Sequence, residues 1–160
     1  MSGHWLVVPG VVRPGHKVAS GTAAAAGDKG GTIAKQISFF KERGLDLSGY
    51  HPATLNVSIH PKILILARPR YTFRWVTWLP DHSEDFSFSP CTLTFDGREY
   101  EAFVYYPHPE TKRAHWHPPS LVEVLAPLID DIRYGATVSL RLNTEEVALL
   151  DSPGRDLTSG

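Results

Sequence analysis

A mainly β fold is expected from the sequence: a single small closed β-barrel, with one main helix after the first strands and a short helix on the C-terminal side. Three observations carry this expectation. Short stretches with alternating apolar and polar side chains recur along the chain, separated by turns that hold proline or glycine. Helical spacing is sustained only over 32–43, where Ile33, Ile37, Phe40 and Leu45 approximate one apolar stripe. Asp96-Gly97 joins two alternating runs, and that dipeptide supplies the two positive φ angles of a type I′ hairpin turn.

Each element follows in order. Residues 5–8 and 11–12 are apolar and β-branched and are broken by Pro9-Gly10, which predicts a short strand pair or one bent strand. Residues 16–19 resume a strand after the Arg13-Pro14-Gly15 turn. A run of small residues, 20–31, reads as a loop, because glycines flank its four alanines. Thr32 caps the main helix and Gly44 closes it. A strand over 54–59 follows, then a compact apolar segment at 62–67 between Pro61 and Pro69. Residues 71–79 form a long strand with one strongly apolar face. Residues 80–89 are expected to be a polar loop, 91–95 and 98–106 the Asp96-Gly97 hairpin, and 107–119 an irregular stretch rich in proline and histidine. Residues 120–126 are expected to form the short helix, with Leu121, Val122 and Leu125 inward and Pro127 ending it. Residues 136–142 make a closing strand and 146–150 an edge strand.

The chain of 160 residues is expected to be one domain, 1–150, with a disordered tail at 151–160. A formal net charge of -1 gives no bulk attraction to nucleic acid or an anionic membrane, so any phosphate site must be built locally. The single cysteine, Cys91, excludes an internal disulfide and a multi-cysteine zinc site, and it fits a reducing compartment. No apolar run reaches membrane-spanning length and the start of the chain lacks a signal-peptide pattern, so a cytoplasmic monomer without nucleic-acid or membrane partners is expected.

The most informative stretch is 50–59, Tyr-His-Pro-Ala-Thr-Leu-Asn-Val-Ser-Ile. Alternation puts Leu55, Val57 and Ile59 on one face and Thr54, Asn56 and Ser58 on the other. Thr54 and Asn56 either face solvent on a half-buried strand, or aim two neutral oxygens at a hard cation of the Mg²⁺ type that shares its shell with phosphate oxygens. The small-residue loop offers closely approachable backbone N–H groups, with Lys17 and Lys29 adding charge, and it runs into a helix N-terminus. It lacks the spacing of a P-loop. His115 and His117 share a face on an extended segment, with His108 upstream. A transition-metal site there competes with a simple proline-rich loop.

In order and in kind, these features resemble the CTP-dependent riboflavin kinases of archaeal type, which are cradle-loop barrels. The family's Val-x-Ser-Gly strand end matches Val18-Ala19-Ser20-Gly21. Its Tyr-Pro-Gly-Thr-Leu-Asn strand matches Tyr50, Pro52, Thr54, Leu55 and Asn56, with Ala53 in place of glycine and His51 added. Its later proline, glutamate, proline and glycine correspond to Pro118, Glu123, Pro127 and Gly135. The likeness spans roughly residues 11–143. The chain departs from the family in three places: alanines stand where the family loop alternates glycines, His115 stands at a family threonine, and Leu128-Ile129-Asp130-Asp131 shortens a nucleotide-contacting segment.

The resemblance implies phosphoryl transfer from CTP to the primary hydroxyl of riboflavin, giving FMN and requiring Mg²⁺. By the same resemblance Ser20, Gly21, Thr22, Ala23, Ala24, Gly27 and Lys29 bind the nucleotide. Thr54 and Asn56 bind the metal, and Glu123 and His115 meet the acceptor. Asp28 and Asp130 are the candidate catalytic groups. The alternatives are a non-catalytic flavin- or nucleotide-binding barrel, or a kinase for a different alcohol.

Overall fold

The computed structural model describes residues 4–14, 32–108 and 120–151. In chain order the elements are β1 (Trp5–Arg13), α1 (Thr32–Glu42), β2 (Leu55–Ser58), β3 (Lys62–Leu66), β4 (Tyr71–Leu79), β5 (His82–Phe95), β6 (Arg98–Pro107), β7 (Leu121–Leu125), β8 (Thr137–Asn143) and β9 (Val147–Asp151). The fold is mainly β. Strands β5-β6-β7-β2-β1-β8 are hydrogen-bonded in that order, and β8 pairs again with β5, so six strands close a ring. The seams differ in length: β5 and β6 share ten register pairs, whereas β6 and β7 share two, Phe103↔Leu125 and Val104↔Val124. β4 adds to the outside of β5, and β3 with β9 makes a separate two-stranded sheet.

Strand alternation divides the apolar residues between two cores. Val12, Val57, Leu93, Val124 and Leu140, all 0% exposed, belong to the core enclosed by the ring. Residues of opposite parity on β5, β6 and β7 (Phe86, Phe88, Tyr105 and Leu125) form a second core with Phe73 and Val76 of β4, and α1 covers it through Ile33 and Phe40. The Phe40 ring lies 4.9 Å from Phe88 and 5.1 Å from Phe86, both edge-on, and 5.8 Å from Phe73. α1 ends in a Schellman motif: Leu45 N–H donates to Phe40 O at 3.0 Å and Gly44 N–H to Lys41 O at 3.1 Å. Leu45 and Phe40 then pack in the same core.

Several expectations hold. Asp96 has φ 54° and Gly97 φ 77°, so the hairpin turn has the two positive angles that Asp-Gly predicts. The residues at 5–8 and 11–12 belong to one strand that runs through Pro9-Gly10. At Gly10, β2 comes so close that a Cβ would run into Val57 Cγ1.

Four expectations are corrected. Residues 121–125 form strand β7 and not a helix, because Val122 and Val124 enter the ring core at a period of two while β2 and β6 pair with the strand on either side. The polar stretch 80–89 is no loop beyond Pro80-Asp81: β5 begins at His82, and its Glu84, Ser87 and Ser89 side chains are buried with partners. Ser89 donates to Glu146 Oε1 at 2.7 Å, and the Arg70 backbone N–H donates to the same oxygen at 3.1 Å. Alternation along β4 breaks at a bulge. Trp75 takes φ 59° and is 75% exposed, while Phe73 and Val76 are buried. Asp85 Oδ1 accepts the Trp75 N–H at 2.9 Å, and Arg43 donates to the Arg74 and Trp75 carbonyls at 2.6 and 3.3 Å, which together hold the bulge. Finally, the expected edge strand is present as β9, paired with β3, but it reaches one residue further: Asp151, placed in the tail from sequence, is its last residue and pairs with Lys62 at 2.7 Å.

Candidate functional site

The outer face of the ring carries a row of polar side chains where β1, β2, β7 and β6 lie side by side. Asn56 stands opposite Arg13 on one side and opposite Glu123 on the other. Residues directly opposite in antiparallel strands share a face. Their neighbours Val12, Leu55, Val57, Val122 and Val124 are all buried in the ring, so Arg13, Asn56 and Glu123 point outward. Thr54, between buried Ala53 and Leu55, points the same way, and its hydroxyl donates to Glu123 Oε1 at 3.1 Å. Thr54, Asn56 and Glu123 are each partly exposed. The two oxygen donors read from the sequence are therefore neither isolated nor buried in hydrocarbon, and the carboxylate assigned to the acceptor lies against them. β7 supplies that carboxylate from a strand rather than from the expected helix.

Toward β6 the row meets the second core. Tyr105 is buried, and its hydroxyl donates to Gln36 Oε1 of α1 at 2.8 Å. Burial pushes the Tyr105 pKa up, the negative charges of Glu123 and Glu84 push it further, and the Gln36 bond opposes them. The hydroxyl is therefore a proton-bearing donor throughout the neutral range. Gln36 is 1% exposed and its Nε2 has no hydrogen-bond partner. A tyrosine hydroxyl both donates and accepts, so turning the carboxamide over would leave its oxygen unpartnered instead. Either way one buried polar atom beside the row is unsatisfied. Gln36 went unnoticed in the sequence, although its place three after Ile33 and four before Phe40 puts a polar residue on the apolar stripe.

The donor set suits Mg²⁺. A hydroxyl that gives its proton to a carboxylate keeps its lone pairs for a cation. The Asn56 side chain has no hydrogen bond among the described residues, which leaves its carboxamide oxygen uncommitted. Neutral oxygens completed by waters and phosphate are the usual magnesium shell. Among the described residues no group of three or more His, Cys, Asp or Glu side chains gathers to hold a metal.

The other sequence candidates fall elsewhere. Asp130 is exposed in the turn between buried Ile129 and Ile132, and no hydrogen bond or ion pair ties it to Thr54, Asn56 or Glu123. His108 Nε2 lies 2.7 Å from Ser87 Oγ, and Ser87 Oγ lies 2.8 Å from Thr72 Oγ1. Alternation puts His108 on the side of β6 opposite Tyr105, so it is no part of the row. Ser20, Gly21, Thr22, Ala23, Ala24, Gly27, Asp28, Lys29, Lys17, His115 and His117 lie outside the described residues. So does the tail after Asp151. Of the residues on either side of that segment, β1 ends at Arg13, beside Asn56, and α1 begins at Thr32, one helical turn before Gln36. A small depression lies between His51–Ala53 and Ala126–Ile129; the inward-facing Leu55 lines it and Thr54 does not.

No model of a known protein family matches the chain, and no curated protein sequence does either.

Proposed function

We propose that the protein is a Mg²⁺-dependent small-molecule kinase that transfers a phosphoryl group from a nucleoside triphosphate, CTP by resemblance, to the primary hydroxyl of riboflavin, giving FMN. On this reading the six-strand ring is a cradle-loop barrel. The observation that carries the proposal is the Thr54 hydroxyl donating to Glu123 at 3.1 Å, with Asn56 in register between Glu123 and Arg13. The proposed metal donors and acceptor carboxylate thus share one face, at the end of β1.

Phosphoryl transfer depends more on positioning and charge neutralisation than on covalent help from the protein. The acceptor hydroxyl oxygen attacks the terminal phosphorus and loses its proton to solvent water, the bond from that phosphorus to the bridging oxygen breaks, and the nucleoside diphosphate leaves. Thr54 and Asn56 would hold the ion, whose charge when bound offsets that of the phosphate oxygens. Glu123 fixes the Thr54 hydroxyl by taking its proton in a hydrogen bond. Its carboxylate also orients the acceptor hydroxyl. Tyr105 and Gln36 back the carboxylate with a buried, proton-bearing wall.

The test is a screen of the four nucleoside triphosphates against riboflavin and other primary alcohols, with and without Mg²⁺, with products read by chromatography and phosphorus NMR. FMN formed only with Mg²⁺ supports the proposal. Riboflavin binding that ignores Mg²⁺, with no phosphorylated product from any pair, replaces it with a non-catalytic flavin binder. Glu123→Gln should weaken acceptor binding more than nucleotide binding; equal loss of both removes Glu123 from the acceptor side.

A further inference from the structure

We infer that Arg13 binds the phosphate chain of the nucleotide, which rests on the kinase reading and assigns it a residue. Arg13 is the last residue of β1 and stands opposite Asn56. It is exposed on the outer face, because Val12 before it is fully buried. Pro14 after it disfavours helical geometry at Arg13, so the side chain leaves the sheet from an extended backbone in a set direction.

Most arginines in the described residues are engaged. Arg43 holds the β4 bulge, Arg70 pairs with Glu146, Arg74 pairs with Asp85, Arg133 donates to the Ile132 carbonyl, and Arg141 lies over the Trp5 ring. The Arg13 guanidinium has no hydrogen bond or ion pair among the described residues. Glu123 lies in the same row, but two strand spacings away, about 9–10 Å. Asn56 stands between them. The row therefore reads cation, carboxamide, carboxylate, with the cation held apart from the one carboxylate that would otherwise quench it.

A guanidinium offers a planar fork of donors that fits two oxygens of a phosphate. With the acceptor at Glu123, the terminal phosphate lies nearest Thr54 and Asn56, and the inner phosphates reach Arg13. This arrangement gives the triphosphate a direction along the row and makes Arg13 the side chain that counters its charge at the end of β1. The net charge of -1 leaves that task to a local cation.

The experiment is calorimetric titration of the full chain with CTP and with inorganic tripolyphosphate, in the presence of Mg²⁺ at low and physiological salt. Wild type is compared with Arg13→Gln, Arg13→Lys and Arg68→Gln. Arg68 is an exposed arginine near Glu146, at the Asn143 end of the β1–β8 ladder, about 26 Å along the strand from Arg13. Arg13→Gln should weaken both ligands about ten- to a hundredfold, the loss expected for one charge-assisted contact. Arg13→Lys should lose less, because the charge stays and the fork goes. Arg68→Gln should bind as wild type, and riboflavin affinity and the urea midpoint should be unchanged in Arg13→Gln. If Arg13→Gln binds Mg²⁺–CTP as wild type does, or Arg68→Gln loses as much, the Arg13 assignment is overturned while the kinase reading stands. If the wild type binds neither CTP nor tripolyphosphate, both are overturned.

Discussion

Thr54→Val, which removes a hydroxyl at nearly constant shape, tests the centre of the site. The hydroxyl donates to the Glu123 carboxylate at 3.1 Å, and both side chains are partly exposed. A hydrogen bond to a charged group is worth about 1.5–3 kcal/mol when buried, and solvent at a half-exposed site reduces this to about 1 kcal/mol. The assay is a double-mutant cycle of Thr54→Val and Glu123→Gln by urea unfolding, with coupling obtained from the non-additivity of the two changes. A coupling of about 1 kcal/mol is expected, and Thr54→Ser should restore it. The same variants are then titrated with a triphosphate, with and without Mg²⁺. Thr54→Val should lose the Mg²⁺-dependent part of the affinity and Thr54→Ser should keep it. A coupling below about 0.3 kcal/mol would refute the shared proton, and an unchanged Mg²⁺ dependence in Thr54→Val would refute the cation assignment. Thr54→Ala combined with Asn56→Ala should abolish transfer and leave folding nearly intact, since both side chains point away from the ring core.

Other expectations concern the scaffold. Phe40→Ala removes a fully buried ring that touches Phe73, Phe86 and Phe88, and should destabilise by about 3–5 kcal/mol in urea; a loss under about 1 kcal/mol would mean that α1 is not seated on that core. Gly10→Ala brings a Cβ into Val57 and to 3.1 Å from the Ser58 carbonyl oxygen. The strand must shift, and the cost should be about 1–3 kcal/mol. Burial pushes the Cys91 thiol from its ordinary 9.0 to about 12, and Tyr105 is raised as well. Both groups keep their protons in the folded state at pH values where the unfolded chain loses them. Their contribution is full below about pH 9 and is lost as pH rises from there toward 12. The urea midpoint should therefore fall between pH 8 and pH 11 and fall less steeply in Cys91→Ala. A flat midpoint would contradict the burial of both.

What was legible in the sequence was local. Asp96-Gly97 specifies its turn by backbone angles alone, and the Ile33–Phe40 stripe and the Thr54/Asn56 alternation are properties of a few neighbouring residues. What was not legible depends on partners far along the chain. Leu121, Val122 and Leu125 satisfy a helical spacing, while Val122 and Val124 satisfy a strand's. Only the edges offered by β2 and β6 decide for a strand. Ser87 and Ser89 suggest a loop until Thr72 and Glu146 are brought to them. The β4 bulge depends on Asp85 and Arg43, neither of them sequence neighbours of Trp75, so simple alternation put that indole on the wrong side. For the site, the sequence marked Thr54, Asn56 and Glu123 but not that they touch. It also missed Arg13 and Gln36, whose roles follow from strand register and helix packing.

The two-pair junction of β6 with β7 has a mechanical consequence. A closed hoop of strands has no free edge to yield, so movement falls to its weakest clasp. β7 is fastened to β2 by four register pairs and to β6 by half as many. Glu123 therefore travels with Thr54 and Asn56 as one plate, while Tyr105 and Gln36 belong to the other jaw. Parting the clasp would widen the space between carboxylate and phenol without disturbing the Thr54 and Asn56 oxygens, so that half of the face can open while the other half stays set.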